Sequence, residues 1–224
     1  AKRAVATGGA AESASEQLRK WRATASLDRA KDYRKKYEDA GVKIEIVKVD
    51  GIFKTADAEL DYLFGLAKTL GARAISTEIS KSDEEHKRIG AFADKHKLMV
   101  GLHGHATSTM ADWEKAFSFA KHLGANLDIG HYIAGDQGSP VDFLKKHHAR
   151  VTHIHVKDRK SKANGAKNMP FGEGDTPIKE VLHLIRDNKW PIQATIEFEY
   201  PVPAGSDLMK ELAKAIKYCR DVLA

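Results

Sequence analysis

Acidic and imidazole side chains recur where hydrophobic runs of this chain end. The segment RVTHIHVKDRK at 150–160 places His153 and His155 two positions apart among β-branched residues. Because side chains at i and i+2 of a strand point the same way, both imidazoles belong to one face, with His153 one step deeper. They are therefore either a structural pair or one wall of a site.

Similar residues end almost every predicted strand. A single acid there is usually exposed or caps a helix, and a single strand histidine usually belongs to the core. Repetition at so many strand ends is not expected by chance, so the pattern predicts one shared site. Its candidate residues are Glu45, Asp50, Glu78, His103, His105, Asp128, His131, His153, His155, Lys157, Asp158, Glu197 and Glu199.

The chemistry of these residues indicates a metal centre. Three carboxylates and one imidazole that converge on a point would suit Mg²⁺, Mn²⁺ or Co²⁺, with coordination positions left for substrate oxygens. A cation would also relieve the repulsion among the carboxylates. The single cysteine, Cys219, argues against a thiolate zinc site and leaves the redox compartment undetermined.

The elements that must position this site alternate in type. Strands are predicted at 42–49, 72–79, 98–103, 125–129, 151–156 and 194–200, and helices at 16–40, 56–70, 82–97, 109–123, 141–148 and 178–188. Such alternation predicts a parallel sheet covered by helices, here a (β/α)₈ TIM barrel-like fold in which the first two strands have no counterpart. We expect one domain over 16–224, preceded by a disordered or extended tail over 1–15.

Composition narrows the classes of function. The chain is 42% hydrophobic and 30% charged, which is ordinary for a globular protein, and its net charge of +6 is spread over helical segments rich in acids. We therefore expect no nucleic-acid partner. No apolar run is long enough to cross a membrane, and the N-terminal segment lacks the apolar centre of a signal peptide. A soluble protein is predicted, either cytoplasmic or exported after cleavage of a precursor.

Six short motifs follow one another along the chain: STE at 76–78, LHGH at 102–105, NLDIGH at 126–131, HIHVKD at 153–158, PFGEGD at 170–175 and TIEFE at 195–199. In order and spacing, they resemble the xylose isomerase-like TIM barrel superfamily. This sugar phosphate isomerase/epimerase group also contains inosose dehydratases and type IV AP endonucleases. Each motif is weak alone, but together they extend the resemblance from about residue 20 to the C-terminus.

The resemblance implies a metal held by Glu78, Asp128, His155 and a glutamate of the last strand. Motif alignment favours Glu197 for that glutamate, whereas strand geometry places Glu199 nearer the rim. The ion would be Mn²⁺, Mg²⁺ or Co²⁺, with Zn²⁺ as a further option. Substrate would contact His105, His131, His153 and Lys157, and PFGEGD would form a lid loop over the site.

One departure from the family pattern affects the ligand set. Many relatives carry a glutamate ligand at the end of the strand where this chain has His103 and His105. Either Glu78 takes over the ligand role, or an imidazole becomes a ligand. Within the LHGH segment, we take His103 as a candidate catalytic residue and His105 as a candidate substrate contact.

The implied activity is isomerisation or epimerisation of a sugar or sugar derivative. A proton next to a carbonyl would be removed to give an enediolate, with Glu197 or Glu199 as one acid/base and Glu78 or His103 working from the other face. Loss of a β-hydroxyl would instead make the enzyme a dehydratase acting on an inosose or keto-glycoside.

Two other classes are weighed. A non-catalytic sugar-binding protein is an alternative, because a barrel lacking two strands would expose a sheet edge. Cleavage of abasic DNA is disfavoured, because it needs more ligands and longer loops than the sequence provides. The expected partner is a small-molecule sugar, and a homo-oligomer is compatible with the sequence.

Overall fold

The computed structural model describes residues 8–224, in which helices and strands alternate. The helices are α1 (Gly8–Thr24), α2 (Asp28–Asp39), α3 (Asp57–Thr69), α4 (Asp83–His96), α5 (Met110–Phe119), α6 (Ile129–Ala134), α7 (Pro140–His147), α8 (Ile178–Asp187) and α9 (Leu208–Leu223). The strands are β1 (Ile46–Lys48), β2 (Ala74–Glu78), β3 (Met99–His103), β4 (Leu123–Asp128), β5 (Val151–Val156), β6 (Asp158–Arg159), β7 (Asn168–Met169) and β8 (Gln193–Ile196).

Six of these strands form one parallel sheet in the order β1-β2-β3-β4-β5-β8. The sheet is curled into part of a barrel with helices outside it. The curl brings the guanidinium of Arg73, just before β2, to the backbone carbonyl of Thr152 on β5. The predicted TIM barrel-like fold with six visible strands is thereby confirmed.

The core lies between the sheet and the helices. Apolar residues of the strands pack against the inward faces of the helices in one continuous cluster. Burying this surface provides the main favourable term for folding. Fully buried examples are Ile75, Val100, Leu127 and Ile154 from the strands and Phe64, Ile89, Trp113, Phe143 and Val181 from the helices.

Side-chain caps fix where several helices begin after the strand ends. Ser82 accepts a hydrogen bond from the backbone N–H of Glu85, and Ser139 does the same for Asp142. Thr109 and Asp112 form a reciprocal capping box at the start of α5. These caps satisfy backbone donors that the first helical turn leaves without partners, so they hold the loops at the site rim.

The first predicted helix differs from the structure. Residues 16–40 form two helices, because Ser26 Oγ accepts a hydrogen bond from the N–H of Asp28 at 3.1 Å and starts α2 anew. The helix α1 begins at Gly8, so residues 8–15 are helical where a tail was expected, and residues 1–7 of that tail lie outside the described residues.

Several elements were not predicted. Between β5 and α8 the chain forms an antiparallel hairpin of β6 and β7, and α6 follows β4 directly. The last helix, α9, packs on α8, where His183 Nε2 donates to the carbonyl of Val222 at 2.6 Å. Apolar residues three or four positions apart gave a signal for this helix: Leu208, Leu212, Ala215, Cys219 and Val222.

Across residues 8–224, no helix is both long and apolar enough to span a lipid bilayer.

Candidate functional site

The candidate site lies at the rim where the parallel strands end. Glu78, His103 and Asp128 are the last residues of β2, β3 and β4. His155 is the next-to-last residue of β5, and Glu197 directly follows β8. Because all these strands run in one direction, their C-terminal ends gather these side chains at one edge of the sheet.

Sheet register determines which residues face each other across neighbouring strands. Glu78 pairs with His103 across β2 and β3, and Asp128 pairs with His155 across β4 and β5. Neighbouring strands are about 4.8 Å apart, so paired side chains on one face lie within reach of a common ion.

Four of these residues converge on one point. His103, Asp128, His155 and Glu197 each offer a ligand atom, and these atoms all lie within 4.8 Å of one another. His103 Nε2 is 3.7 Å and His155 Nδ1 is 3.8 Å from Asp128 Oδ2, while Glu197 Oε2 is 2.9 Å from His155 Nδ1. Two imidazoles and two carboxylates are a donor set suited to a divalent cation.

Buried atoms without partners test whether a cation fits this group. Among the described residues, His103 Nε2 and Asp128 Oδ2 are buried and make no hydrogen bond of good geometry, although Asp128 Oδ2 also forms an ion pair with the Lys157 ammonium at 3.1 Å. Buried polar atoms are normally satisfied, so unsatisfied atoms that face each other call for a missing partner. A cation between them would satisfy both, and the four residues therefore fit a divalent metal.

Asn126 adds a third unsatisfied atom beside the group. Its Nδ2 lies 3.1 Å from His155 Nε2, and its buried Oδ1 has no partner within residues 8–224. Exchanging the two amide atoms would let Oδ1 accept from a protonated Nε2 and leave Nδ1 of His155 for a cation. The environment of His155 is thus also compatible with a metal ligand.

Local folding aims the carboxylate of Asp128 into the site. Asp128 caps α6, and its Oδ1 accepts a hydrogen bond from the backbone N–H of His131 at 2.7 Å. This contact turns Oδ2 toward His103 and His155. The same cap places the imidazole of His131 at the rim, so the DIGH motif positions two site residues with one turn of helix.

A buried lysine lies between the carboxylates. The ammonium of Lys157 is 3.1 Å from Asp128 Oδ2, 2.8 Å from Glu197 Oε2 and 2.8 Å from Glu199 Oε2. Its side chain is 2% exposed. Burial alone would lower the pKa of Lys157, but the charges of Asp128 and Glu197 outweigh burial and raise it, so the lysine is a cation and not a base.

His131 lies between Lys157 and Arg159. The Lys157 ammonium is 3.1 Å from His131 Nε2, and an Arg159 nitrogen is 2.5 Å from Nδ1. Burial and these two neighbouring charges lower the pKa of His131 to about 4, so its imidazole is neutral at pH 7. Arg159 was missed in the sequence, although it directly follows the HIHVKD motif.

Glu78 belongs to a second group of candidate metal ligands, which lies beside the four-residue group. Its Oε2 is 2.9 Å from His103 Nδ1 and 2.8 Å from His105 Nε2. Glu78, His103 and His105 also offer three atoms within 4.8 Å of one another. Burial would raise the pKa of Glu78, but hydrogen bonds from His103 and Lys48 outweigh burial and lower it to about 2.

The same balance between burial and neighbouring charges determines the pKa values of His103 and Glu197. For His103, burial would lower the pKa, but the carboxylates of Asp128 and Glu78 outweigh it and raise the pKa to about 9. Burial would raise the pKa of Glu197, but the imidazole of His155 and the ammonium of Lys157 hold it below its usual range. Glu78 and Glu197 are therefore ionised at pH 7, whereas His103 carries a proton that a cation would have to displace.

His153 occupies a deeper layer than His155. Its side chain is buried beneath the rim, and its Nδ1 lies 2.8 Å from Thr152 Oγ1. Thr152 has no register partner on β4, which marks a bulge in this strand pair. Burial lowers the pKa of His153 to about 3, so the imidazole stays neutral inside the barrel.

The PFGEGD loop is tied to the site by Asp158. The carboxylate of Asp158 accepts hydrogen bonds from the backbone N–H groups of Gly172, Gly174 and Thr176 at 2.8, 2.9 and 3.3 Å. Gly174 leaves no room for a larger residue, since an added Cβ would lie 1.9 Å from Asp158 Oδ1. The loop is thus held next to the β6–β7 hairpin.

The structure brings most of the predicted site residues together, in three subsets. His103 joins Asp128, His155 and Glu197, whereas Glu78 reaches this group through His103. Glu199 and His131 contact Lys157, and His105 contacts Glu78 at the exposed rim. Asp50 is exposed and contacts Lys48, and Glu45 pairs with Arg73 near the start of β2.

The fold is that of a barrel-type α/β protein, and a cluster of candidate metal ligands lies at its strand ends. The sequence model of the xylose isomerase-like TIM barrel family matches residues 84–222. The chain belongs to this family, as the sequence motifs predicted.

Relatives with assigned names are inosose dehydratases. The enzyme of Erwinia tasmaniensis is 28% identical over 159 residues, which cover 61% of this chain and 53% of that protein. The enzyme of Klebsiella pneumoniae subsp. pneumoniae is 27% identical over 168 residues, which cover 62% and 56%. The chain thus spans about half the length of the curated relatives it matches.

Solved structures share the fold at low identity. A xylose isomerase domain protein from Planctomyces limnophilus has a TM-score of 0.68 at 20% identity, over 88% of this chain and 83% of that one. The 3-keto-D-glucoside 4-epimerase YcjR of E. coli has 0.66 at 12%, over 87% and 85%. An IolI protein with a bound zinc atom has 0.64 at 16%, over 92% and 84%.

Proposed function

We propose that this chain is a divalent-metal-dependent enzyme that moves a proton next to the carbonyl of a sugar or sugar derivative. The observation that carries the proposal is the convergence of His103, Asp128, His155 and Glu197, in which the buried His103 Nε2 faces the Asp128 carboxylate without a hydrogen bond. Family membership and the named enzymes among the relatives support it.

The four converging residues would hold the cation. When bound, it would polarise a substrate carbonyl and stabilise the negative charge of an enediolate. Two imidazoles in the donor set favour a borderline ion such as Zn²⁺ or Co²⁺ over Mg²⁺, which prefers oxygen ligands. The zinc bound in the IolI neighbour is in line with this preference.

Proton transfer would fall to the carboxylates around Lys157. Glu199 contributes no atom to the four-residue group, and 43% of its side chain is exposed, so substrate can reach it. We propose Glu199 as the principal acid/base, with Glu197 as the alternative. The Lys157 ammonium would hold either carboxylate in place.

Isomerisation or epimerisation requires only that the proton be returned to the substrate. One base that serves two neighbouring carbons would isomerise a sugar, whereas donors on opposite faces would epimerise it. His131, neutral at pH 7 and next to Lys157, lies where it could bind substrate hydroxyls. His105 on the exposed rim is a second candidate for such contacts.

Dehydration of an inosose is the second candidate, favoured by the names of the sequence relatives. It shares the first step, removal of a proton next to the carbonyl. The β-hydroxyl would then take a proton and leave as water, and the Lys157 ammonium beside Asp128 and Glu197 is a candidate for the acid that supplies this proton.

Solvent-isotope exchange tests the proposal and separates the two reactions. The full chain is loaded with Zn²⁺ or Co²⁺ and incubated in D₂O with ketoses, inososes and 3-keto-glucosides. Deuterium in a rearranged sugar supports an isomerase or epimerase, whereas a product lighter by one water supports a dehydratase. A metal-loaded chain that binds a sugar without exchange would overturn the enzyme assignment in favour of a sugar-binding protein.

A further inference from the structure

The carboxylate of Glu78 contacts three basic side chains. Its Oε2 lies 2.9 Å from His103 Nδ1 and 2.8 Å from His105 Nε2, and its Oε1 lies 3.2 Å from Lys48 Nζ. An ionised carboxylate only accepts hydrogen bonds, so Nδ1 of His103 must carry the hydrogen that it shares with Glu78. Nε2 is then the nitrogen left for a cation, which would displace the proton that Nε2 carries in the metal-free chain.

The second ring nitrogen of His103, Nε2, points into the four-residue group. His103 Nε2 is buried, makes no hydrogen bond to any described residue and lies 3.7 Å from Asp128 Oδ2. The ring of His103 is 4.8 Å, between centroids, from the ring of His155. The nitrogen that does not contact Glu78 is therefore the one that faces the other three ligand atoms.

Sheet pairing fixes this arrangement. Glu78 and His103 are register partners at the ends of β2 and β3, so their backbones are held by the parallel ladder. A hydrogen bond between a metal-bound histidine and a carboxylate sets the ring orientation and raises the basicity of the ligand nitrogen. Glu78 is placed to give His103 both effects.

We propose that Glu78 is a positioning residue and not a metal ligand: it holds His103 so that Nε2 binds the cation. The inference rests on the proposed metal site. It replaces the ligand set that the sequence motifs implied, in which Glu78 itself held the ion. His103 takes the ligand place on β3, and Glu78 acts through it.

The competing arrangement uses Glu78, His103 and His105 as a separate set of ligands. In that arrangement Nδ1 of His103 would bind a cation and could not donate to Glu78. His105 and Glu78 are 58% and 41% exposed at their side chains, whereas Asp128 in the other group is fully buried. The group of His103, Asp128, His155 and Glu197 is therefore the better candidate for the metal site. Variants of Glu78 and His103, alone and combined, separate the two arrangements.

The test is the affinity of the full chain for Zn²⁺, measured by competition with a chromophoric chelator. We expect Glu78→Ala to weaken binding about 10–100-fold, the usual effect of losing a partner behind a ligand. Glu78→Gln keeps an acceptor for Nδ1–H and is expected to lose less. His103→Ala should lose more than either variant.

The double variant Glu78→Ala/His103→Ala gives the decisive comparison. If Glu78 acts only through His103, the double variant binds Zn²⁺ as weakly as His103→Ala alone. A further loss equal to that of Glu78→Ala would show that Glu78 is a ligand in its own right and overturn the inference. Wild-type affinity in Glu78→Ala would also overturn it.

Controls separate this inference from folding and from the proposed function. Glu45→Gln makes the same kind of change at a carboxylate paired with Arg73 near the other end of the strands, and should leave Zn²⁺ affinity unchanged. Circular dichroism checks that each variant folds. If the wild-type chain binds no Zn²⁺, the proposed function and this inference fail together. If it binds Zn²⁺ tightly but the losses of affinity in Glu78→Ala and His103→Ala add up in the double variant, the inference alone is rejected.

Ring nitrogen NMR provides a readout that does not depend on the variants. In the Zn²⁺-loaded chain, His103 should show a protonated Nδ1 and a metal-bound Nε2. The reverse pattern, with a metal-bound Nδ1, would contradict the inference even if affinities behave as expected.

Discussion

The ammonium of Lys157 lies 3.1 Å from Oδ2 of Asp128, and both side chains are almost completely buried. Glu197 and Glu199 each approach the same ammonium within 2.8 Å. One lysine thus compensates three carboxylates at the end of the barrel. Its removal is expected to affect the metal-free and the metal-loaded chain differently.

Lys157→Met should destabilise the metal-free chain by about 3 kcal/mol, because breaking a buried ion pair leaves its partner uncompensated. Excess Zn²⁺ should recover much of this loss, since a cation among the same carboxylates replaces the missing charge. Urea unfolding with and without Zn²⁺ measures both effects. Lys160→Met, which removes a more exposed pair with Asp175, is the control and should cost about 0–1 kcal/mol. An equal loss in both variants would contradict the prediction.

Asp128→Asn should remove metal binding while leaving the fold intact. Asparagine caps helices as well as aspartate does, so α6 keeps its hydrogen bond from the N–H of His131. The lost charge should reduce the metal retained after dialysis, measured by elemental analysis, to the background of a chelated sample. Asp207→Asn makes the same change at the cap of α9 and should retain wild-type metal content. Full metal retention in Asp128→Asn would count against the site.

The stability of the metal-free chain should fall as the pH drops below 6.5, in part because of His153. Burial lowers the pKa of His153 to about 3. Between pH 6.5 and 3, the unfolded chain binds a proton at this residue that the folded chain does not bind, so stability rises with pH. His153→Gln should make the pH dependence shallower by up to about 1.4 kcal/mol per pH unit in this window. Urea unfolding at pH 5 and 7 gives the slopes, and identical slopes would contradict the prediction.

Gly101→Ala should destabilise the chain by about 1–3 kcal/mol, the usual cost of overpacking. A Cβ at Gly101 would lie 2.2 Å from Thr152 Oγ1 and 3.3 Å from His153. Gly65→Ala is the control, because its Cβ would meet only Leu27 at 3.6 Å and alanine is the better helix former. Chemical unfolding should therefore show a loss for the first variant and none for the second.

The order of strands and the rim residues could be predicted because both depend on local pattern. Strand β5 was predicted with its observed bounds, since β-branched residues alternate with His153 and His155. The strand expected at 194–200 ends at Ile196, so Glu197 and Glu199 lie beyond the ladder. Its length depends on pairing with β5, which no local pattern encodes.

Contacts across the barrel were not predictable in the same way. Whether Glu78 or His103 faces Asp128 depends on register and on ring orientation, which only neighbouring strands define. Similarly, His86 lies on α4, outside the sheet, yet its side chain is buried between Phe53 and Phe119. A polar residue can be assigned to a helix from sequence, but its burial depends on what packs against that helix.

The pairing of Glu78 with His103 and of Asp128 with His155 has a consequence for assembly of the sheet. A slip of one residue in β3 or β5 would turn its imidazole to the opposite face, toward the helices. A cation at the rim would therefore bind one register and none of its neighbours, and its binding free energy would add to the stability of that register alone. Metal binding at the rim would thus favour the observed strand register over registers shifted by one residue.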